Sequence, residues 1–152
     1  MVWHPFRWKK LSIACAIGYR PRGKCTRLCF QIVADSYNEQ KLIGFLHRLK
    51  RHFRGQRIMM IWDGLPSHRS RLMSAYLAEQ RSWLQVARLP GYAPDLNPVE
   101  SLWGNIRGQE LANRSVDELG EMVQGVHEGL RRIRRRRGLL RSFLEHSGLS
   151  LP

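Results

Sequence analysis

A chain of 152 residues suits one domain and can bury a real core, but 26 lysines and arginines against 12 acids leave it at +14, with a pI near 11.0. That balance argues for a polyanionic partner, nucleic acid ahead of anionic membrane; no apolar run is long enough to span a bilayer, and residues 1–10 leave no room for the apolar core of a signal peptide. Cys15, Cys25 and Cys29 are an odd set without a C-x-x-C pair, which speaks against zinc and for buried thiols in a cytoplasmic protein.

Residues 10–18 read as a mostly apolar strand, and Pro21 and Gly23 mark a turn after it. Residues 26–34 alternate, with Leu28, Phe30 and Ile32 on one face, and are expected to pair antiparallel with the first strand. Asp35-Ser36-Tyr37-Asn38 is a turn and cap before a helix over residues 39–53, where Leu42, Ile43, Phe45, Leu46, Leu49 and Phe53 recur at helical spacing. Gly55 ends it. Ile58–Trp62 is a short apolar run bounded by turn residues, a buried strand. A helix over residues 67–81 should turn Leu72, Ala75, Tyr76 and Leu77 inward, and residues 83–89 form another strand. After a proline-rich loop, Val99, Leu102 and Ile106 share one face of a helix. Ser115-Val116-Asp117-Glu118 has capping-box spacing and starts a further helix, striped by Leu119, Met122, Val123 and Val126. Residues 138–148 are expected as a short helical tail, loosely packed. The order is that of an α/β chain without repeats or linker.

Two acids stand out. Asp63 follows the Ile58–Trp62 strand at its C-terminal end, where open α/β sheets place their sites. Glu100 is delivered by Pro94-Asp95-Leu96-Asn97-Pro98-Val99-Glu100: Asn97 can cap the helix, Pro98 suits its first position, and Glu100 falls on the third. The plain readings are a turn aspartate and a capping-box glutamate. The chemical reading is that two carboxylates, one ending a strand and one opening a helix, converge on a divalent cation, since Mg²⁺ takes oxygen ligands. Residues 131–137 hold six arginines in seven positions, Arg131, Arg132, Arg134, Arg135, Arg136 and Arg137. They are read as a phosphate-contacting patch, against a solvated helix end whose cations favour the dipole.

Asp63-Gly64-Leu65-Pro66-Ser67-His68, followed by Leu89-Pro90-Gly91-Tyr92-Ala93-Pro94-Asp95-Leu96-Asn97-Pro98-Val99-Glu100, resembles the second and third blocks of a DDE transposase, nearest the insertion-sequence branch of the mariner superfamily. The thirty-six residues between Asp63 and Glu100 match the spacing of such enzymes. Gly64 stands where many relatives have Asn. The resemblance implies a ribonuclease-H-like α/β fold over residues 8–137 as a partial catalytic domain, with residues 138–152 as the tail. It implies metal-dependent DNA strand cleavage and transfer with Mg²⁺ or Mn²⁺ as a pair, Asp63 and Glu100 as catalytic metal ligands, and Asn97 and Pro98 as residues that position Glu100. His68 falls at the family's histidine, either touching the scissile phosphate or capping a helix. The family's first Asp lies on a strand before the region that residues 8–17 resemble, and residues 1–7 hold no acid. The expectation is therefore the C-terminal part of a transposase, inactive alone, partnered by DNA at transposon ends and target, by an upstream transposase segment and by a second copy in a homodimer.

Two other readings compete. A basic DNA- or RNA-binding module would share the charge but has no need of the two placed acids. A complete nuclease of another family would take Asp35 as its third ligand, although Asp35 lies past the far end of a neighbouring strand.

Overall fold

Strand β1 (Leu11–Tyr19) and strand β2 (Thr26–Ala34) form an antiparallel ribbon in the computed structural model, from Leu11 opposite Ala34 to Tyr19 opposite Thr26. The structure describes residues 11–22, 26–63, 68–91, 93–114 and 119–149. The expected roles of residues 64–67, Tyr92, Cys25 and the capping box at 115–118 lie outside them. Helix α1 (Glu39–His52) starts where the Asn38 side chain accepts the Lys41 N–H at 2.8 Å. It ends into Gly55, whose φ of +75° is cheap only without a Cβ. Strand β3 (Ile58–Trp62) pairs in parallel with strand β4 (Leu84–Arg88), Ile58 opposite Leu84 and Trp62 opposite Arg88.

Helix α2 (Arg71–Glu79) lies between those strands and starts four residues later than its pattern suggests. Ser70 is the cap, its Oγ accepting the Met73 N–H at 3.1 Å. The inward face is read correctly in half: Tyr76 and Leu77 pack half-buried against the core beside fully buried Met73, while Leu72 is 46% exposed and Ala75 is exposed. The apolar stripe was too short to set the helix's rotation; the fit of Met73 against α1 and β3 set it. A 3₁₀ turn (Pro94–Leu96) then leads into helix α3 (Pro98–Ile106), which runs on as a π turn (Arg107–Leu111). Helices α4 (Leu119–Arg135) and α5 (Arg137–His146) complete the order.

The period-two alternation of β2 feeds two cores. Cys29 faces one with Leu42, Phe45, Leu46 and Leu49 of α1, joined by Trp62, Met73 and Leu84. Leu28 and Phe30 face the other with Leu102 and Ile106 of α3, Val126, Leu130 and Ile133 of α4, and Leu140 and Phe143 of α5. The β1–β2 ribbon is thus covered on both sides. The β3–β4 ribbon is not: Met59 is 60% and Ile61 56% exposed. Among the described residues the two ribbons are separate sheets, so β1 and β3 each keep an unpaired edge.

The tail expected to pack loosely is instead part of the second core. Leu140 is fully buried, and Phe143 and Leu144 are buried with it. The Tyr19 hydroxyl donates to the Leu140 carbonyl at 2.7 Å, and Thr26 Oγ1 to the Arg137 carbonyl at 3.2 Å. A boundary after residue 137 would cut the first turn of α5. No helix among the described residues is long and apolar enough to cross a membrane.

Candidate active site

Asp63 leaves the C-terminal end of β3, half exposed. His68 folds back on it: Nδ1 lies 2.9 Å from the Asp63 carboxylate Oδ1 and 2.9 Å from the Asp63 carbonyl. Both neighbours are acceptors, so Nδ1 carries a hydrogen. The imidazole stacks on Trp62 with ring centroids 4.2 Å apart and planes 9° from parallel. Of the two expected roles for His68, phosphate contact or helix cap, the second is filled by Ser70. The geometry instead ties His68 to Asp63.

Glu100 stands exposed in the first turn of α3. Pro98 occupies the start of that helix, and Asn97 Oδ1 accepts the Val99 N–H at 3.2 Å, while the Asn97 carbonyl accepts the Glu100 N–H at 3.0 Å. Asn97 thus caps, and Pro98 starts, the helix from which Glu100 projects. Buried Leu102 and Ile106 pin the opposite face of α3 in the second core, so the direction of Glu100 is set by packing as well as by the cap.

The arginine run divides. Arg131, Arg135, Arg136 and Arg137 are exposed. Arg132 is held by Glu110 through two guanidinium nitrogens and by Asn105 Oδ1 at 2.6 Å. The hydrogen bonds that Arg132 donates to Glu110 raise its pKa further. Arg134 lies over the Phe30 ring, 4.7 Å from its centroid. Sequence reading missed the Arg132–Glu110 lock and the Trp62–His68 stack. The first had a signal in Gly125 and Gly129, one helical turn apart on α4: a Cβ at Gly129 would come within 2.8 Å of Glu110 Oε2 and 2.9 Å of Ile106 Cγ1.

The donor set does not fit a metal pair. Among the described residues no three His, Cys, Asp or Glu side chains form a group that could hold a metal ion. Asp35, the rival third ligand, stands in the turn after β2 with φ +65° and joins no such group. A catalytic metal pair about 3.5–4 Å apart calls for shared carboxylate ligands, and the described residues do not assemble them.

A family profile described as DDE superfamily endonuclease matches residues 7–123. Among solved structures, the crystal structure of the catalytic domain of Mos1 mariner transposase is similar at 17% identity, with a TM-score of 0.53 over 93% of this chain and 83% of that one. The Mos1 catalytic domain with Raltegravir and Mn gives the same TM-score at 16% identity, covering 93% and 84%. The Mos1 mariner paired end complex with Mn gives 0.57 at 18% identity, over 99% of this chain but 48% of that one. No curated protein sequence matches. The ribbons and flanking helices are accordingly a ribonuclease-H-like α/β arrangement, and the chain belongs to the DDE superfamily endonucleases, the family of DDE transposase catalytic domains.

Proposed function

We propose that this chain is part of an insertion-sequence transposase that cuts and joins DNA, with Asp63 and Glu100 as two of its three catalytic acids. The observation that carries the reading is their placement within the matched family region. Asp63 ends the parallel strand β3, and Glu100 opens a helix capped by Asn97 and started by Pro98. His68 acts through Asp63: its Nδ1–H holds the carboxylate, and the Trp62 ring fixes the imidazole plane. Arg131, Arg135, Arg136 and Arg137 hold backbone phosphates of transposon-end or target DNA. The Arg132 guanidinium is spent on Glu110 and positions α4 instead.

The third acid comes on a further strand seated between β1 and β3, from an upstream transposase segment. What supports this is the divided sheet: among the described residues the strands form two separate ribbons with open edges, and a parallel pair is ordinarily buried on both faces. Without that strand the chain binds DNA but does not cut it, and Mg²⁺ or Mn²⁺ acts only at the completed site. The test is to join or co-express the polypeptide encoded upstream and assay strand cleavage with Mn²⁺. Cleavage should appear only with the added segment and vanish with Glu100→Ala. Robust cleavage by the 152-residue chain alone, lost on Asp63→Ala, would show that a residue of this chain is the third ligand.

A further inference from the structure

A cleft of about 310 Å³ lies at the end of the β3–β4 ribbon away from Asp63. Its walls come from three places: Lys50 and Phe53 at the end of α1, Gln56 and Arg57 just before β3, and Ser82 and Trp83 just before β4. Because β3 and β4 are parallel, the residues before both strands share one pole, and Asp63, after β3, stands at the other. The six steps from Arg57 to Asp63 make about 20 Å of extended chain. The cleft is therefore separate from the carboxylates.

One wall is assembled in advance. Gln80 Oε1 accepts the Trp83 indole N–H at 2.7 Å and the Lys50 ammonium at 3.4 Å. The same ammonium sits over the Trp83 ring, 5.5 Å from its centroid. A lysine has three N–H donors, so Lys50 keeps two for a ligand while Gln80 and Trp83 hold it in place. Arg57 is exposed, and neither cation forms an ion pair among the described residues. No acid is among the described residues that line the cleft, and none occurs from Gln40 to Trp62, a stretch with six lysines and arginines.

The charge selects an anion. The negative end of the α1 dipole faces this pole, so the side-chain cations must hold that anion without help from the helix. The volume stands near the lower end of ligand-pocket size, about 300 Å³, which suits one nucleotide over a bare phosphate. Phe53 and Trp83 are buried and give the cleft an apolar wall, and Gln56 and Ser82 add hydrogen-bonding side chains. A base paired within a duplex does not turn into such a cleft, whereas a base in a single strand is free to.

We propose that this cleft binds one nucleotide unit of single-stranded DNA, its phosphate on Lys50 and Arg57 and its sugar and base against Phe53 and Trp83. This rests on the reading that the chain handles DNA.

The test uses the full chain with an oligothymidylate, a duplex of equal length, thymidine monophosphate and inorganic phosphate. Binding of labelled DNA is followed by anisotropy over a salt series, and the Trp83 indole N–H by ¹⁵N NMR, its signal assigned by loss in Trp83→Phe. In the wild type the oligothymidylate should shift the Trp83 signal. The variant Lys50→Gln/Arg57→Gln should bind the oligothymidylate about five- to tenfold more weakly, with a salt slope shallower by about 0.7, one phosphate of a single strand. Its binding of the duplex should fall much less. A charge-matched control on exposed residues elsewhere, Arg71→Gln/Arg107→Gln, should also lose much less. Three results would each overturn the site while the DNA reading stands: a Trp83 signal that stays put as the oligothymidylate binds, a double variant no weaker than the control, or equal losses for single strand and duplex. A Trp83 shift reached at the same concentration of thymidine monophosphate or phosphate would make the cleft a site for free anions and overturn the strand assignment. No DNA binding by the wild type would overturn both.

Discussion

The two ribbons make a contrast within one chain. β1–β2 is antiparallel, locally connected and covered on both faces, with Leu28 and Phe30 in one core and Cys29 in the other. β3–β4 is parallel, packed on one face by α1 and α2, and leaves Met59 and Ile61 bare on the other. The covered ribbon bears Cys15 and Cys29 and packs against the helix that presents Glu100; the half-covered ribbon ends in Asp63. The half-covered ribbon is thus the less finished part of the described structure, as expected if, as proposed, the remaining cover and pairing come from elsewhere.

The largest expected effect breaks the covered side. Leu140→Ala should cost about 2–5 kcal/mol in urea unfolding, because it empties a fully buried site shared by α5 and β2. A tail that packed loosely would lose next to nothing. Next come the contacts that hold α4 against α3. Glu110→Ala leaves the Arg132 guanidinium without its main partner and should cost about 1–3 kcal/mol. Gly129→Ala should destabilise as well, although alanine favours a helix by about 1 kcal/mol, because its Cβ would press on Ile106 and on the carboxylate that Arg132 holds. On the bare ribbon, Ile61→Ser should move stability by no more than about 0.5 kcal/mol. The same change should cost more once the upstream segment is present, which would sharpen the contrast directly.

The smallest effect lies at the seam between β2 and α1. Burial, then Arg27, Arg134 and Arg48, depress the His52 pKa below its ordinary 6.5. The neutral ring's contribution is therefore complete above about pH 6.5 and is lost as pH falls through the lower folded value. His52→Gln should flatten this acid-side slope in thermal melts between neutral pH and about pH 5, and leave stability above neutrality little changed.

Much of this was legible in advance, and the misses share a cause. The nine-residue alternation of β2 and the long stripe of α1 gave their elements and faces correctly, since many positions vote on one period. Helix α2 has nine residues and mixed polarity, so Tyr76 and Leu77 were read correctly as inward but Leu72 and Ala75 were not, and Met73 was missed. Asn97 and Pro98 announced the start of α3 because a cap is chemistry between residues two or three apart. Arg132 sat in a run that looks uniform, and only its place on the inner face of α4, opposite Glu110, separated it from its neighbours.

The amino-acid sequence by itself therefore determined the elements, the delivery of Glu100 at a helix start and of Asp63 at a strand end, the strong positive charge and the family resemblance. Each is a matter of composition or of residues a few places apart, where backbone geometry leaves few choices. Only the tertiary structure decided that α5 belongs to a core, that Arg132 is bound to Glu110, that Arg134 lies over Phe30, and that His68 closes on Asp63 against Trp62. Most of these pair groups from different elements. Such pairings follow from how whole faces pack, which no local pattern records.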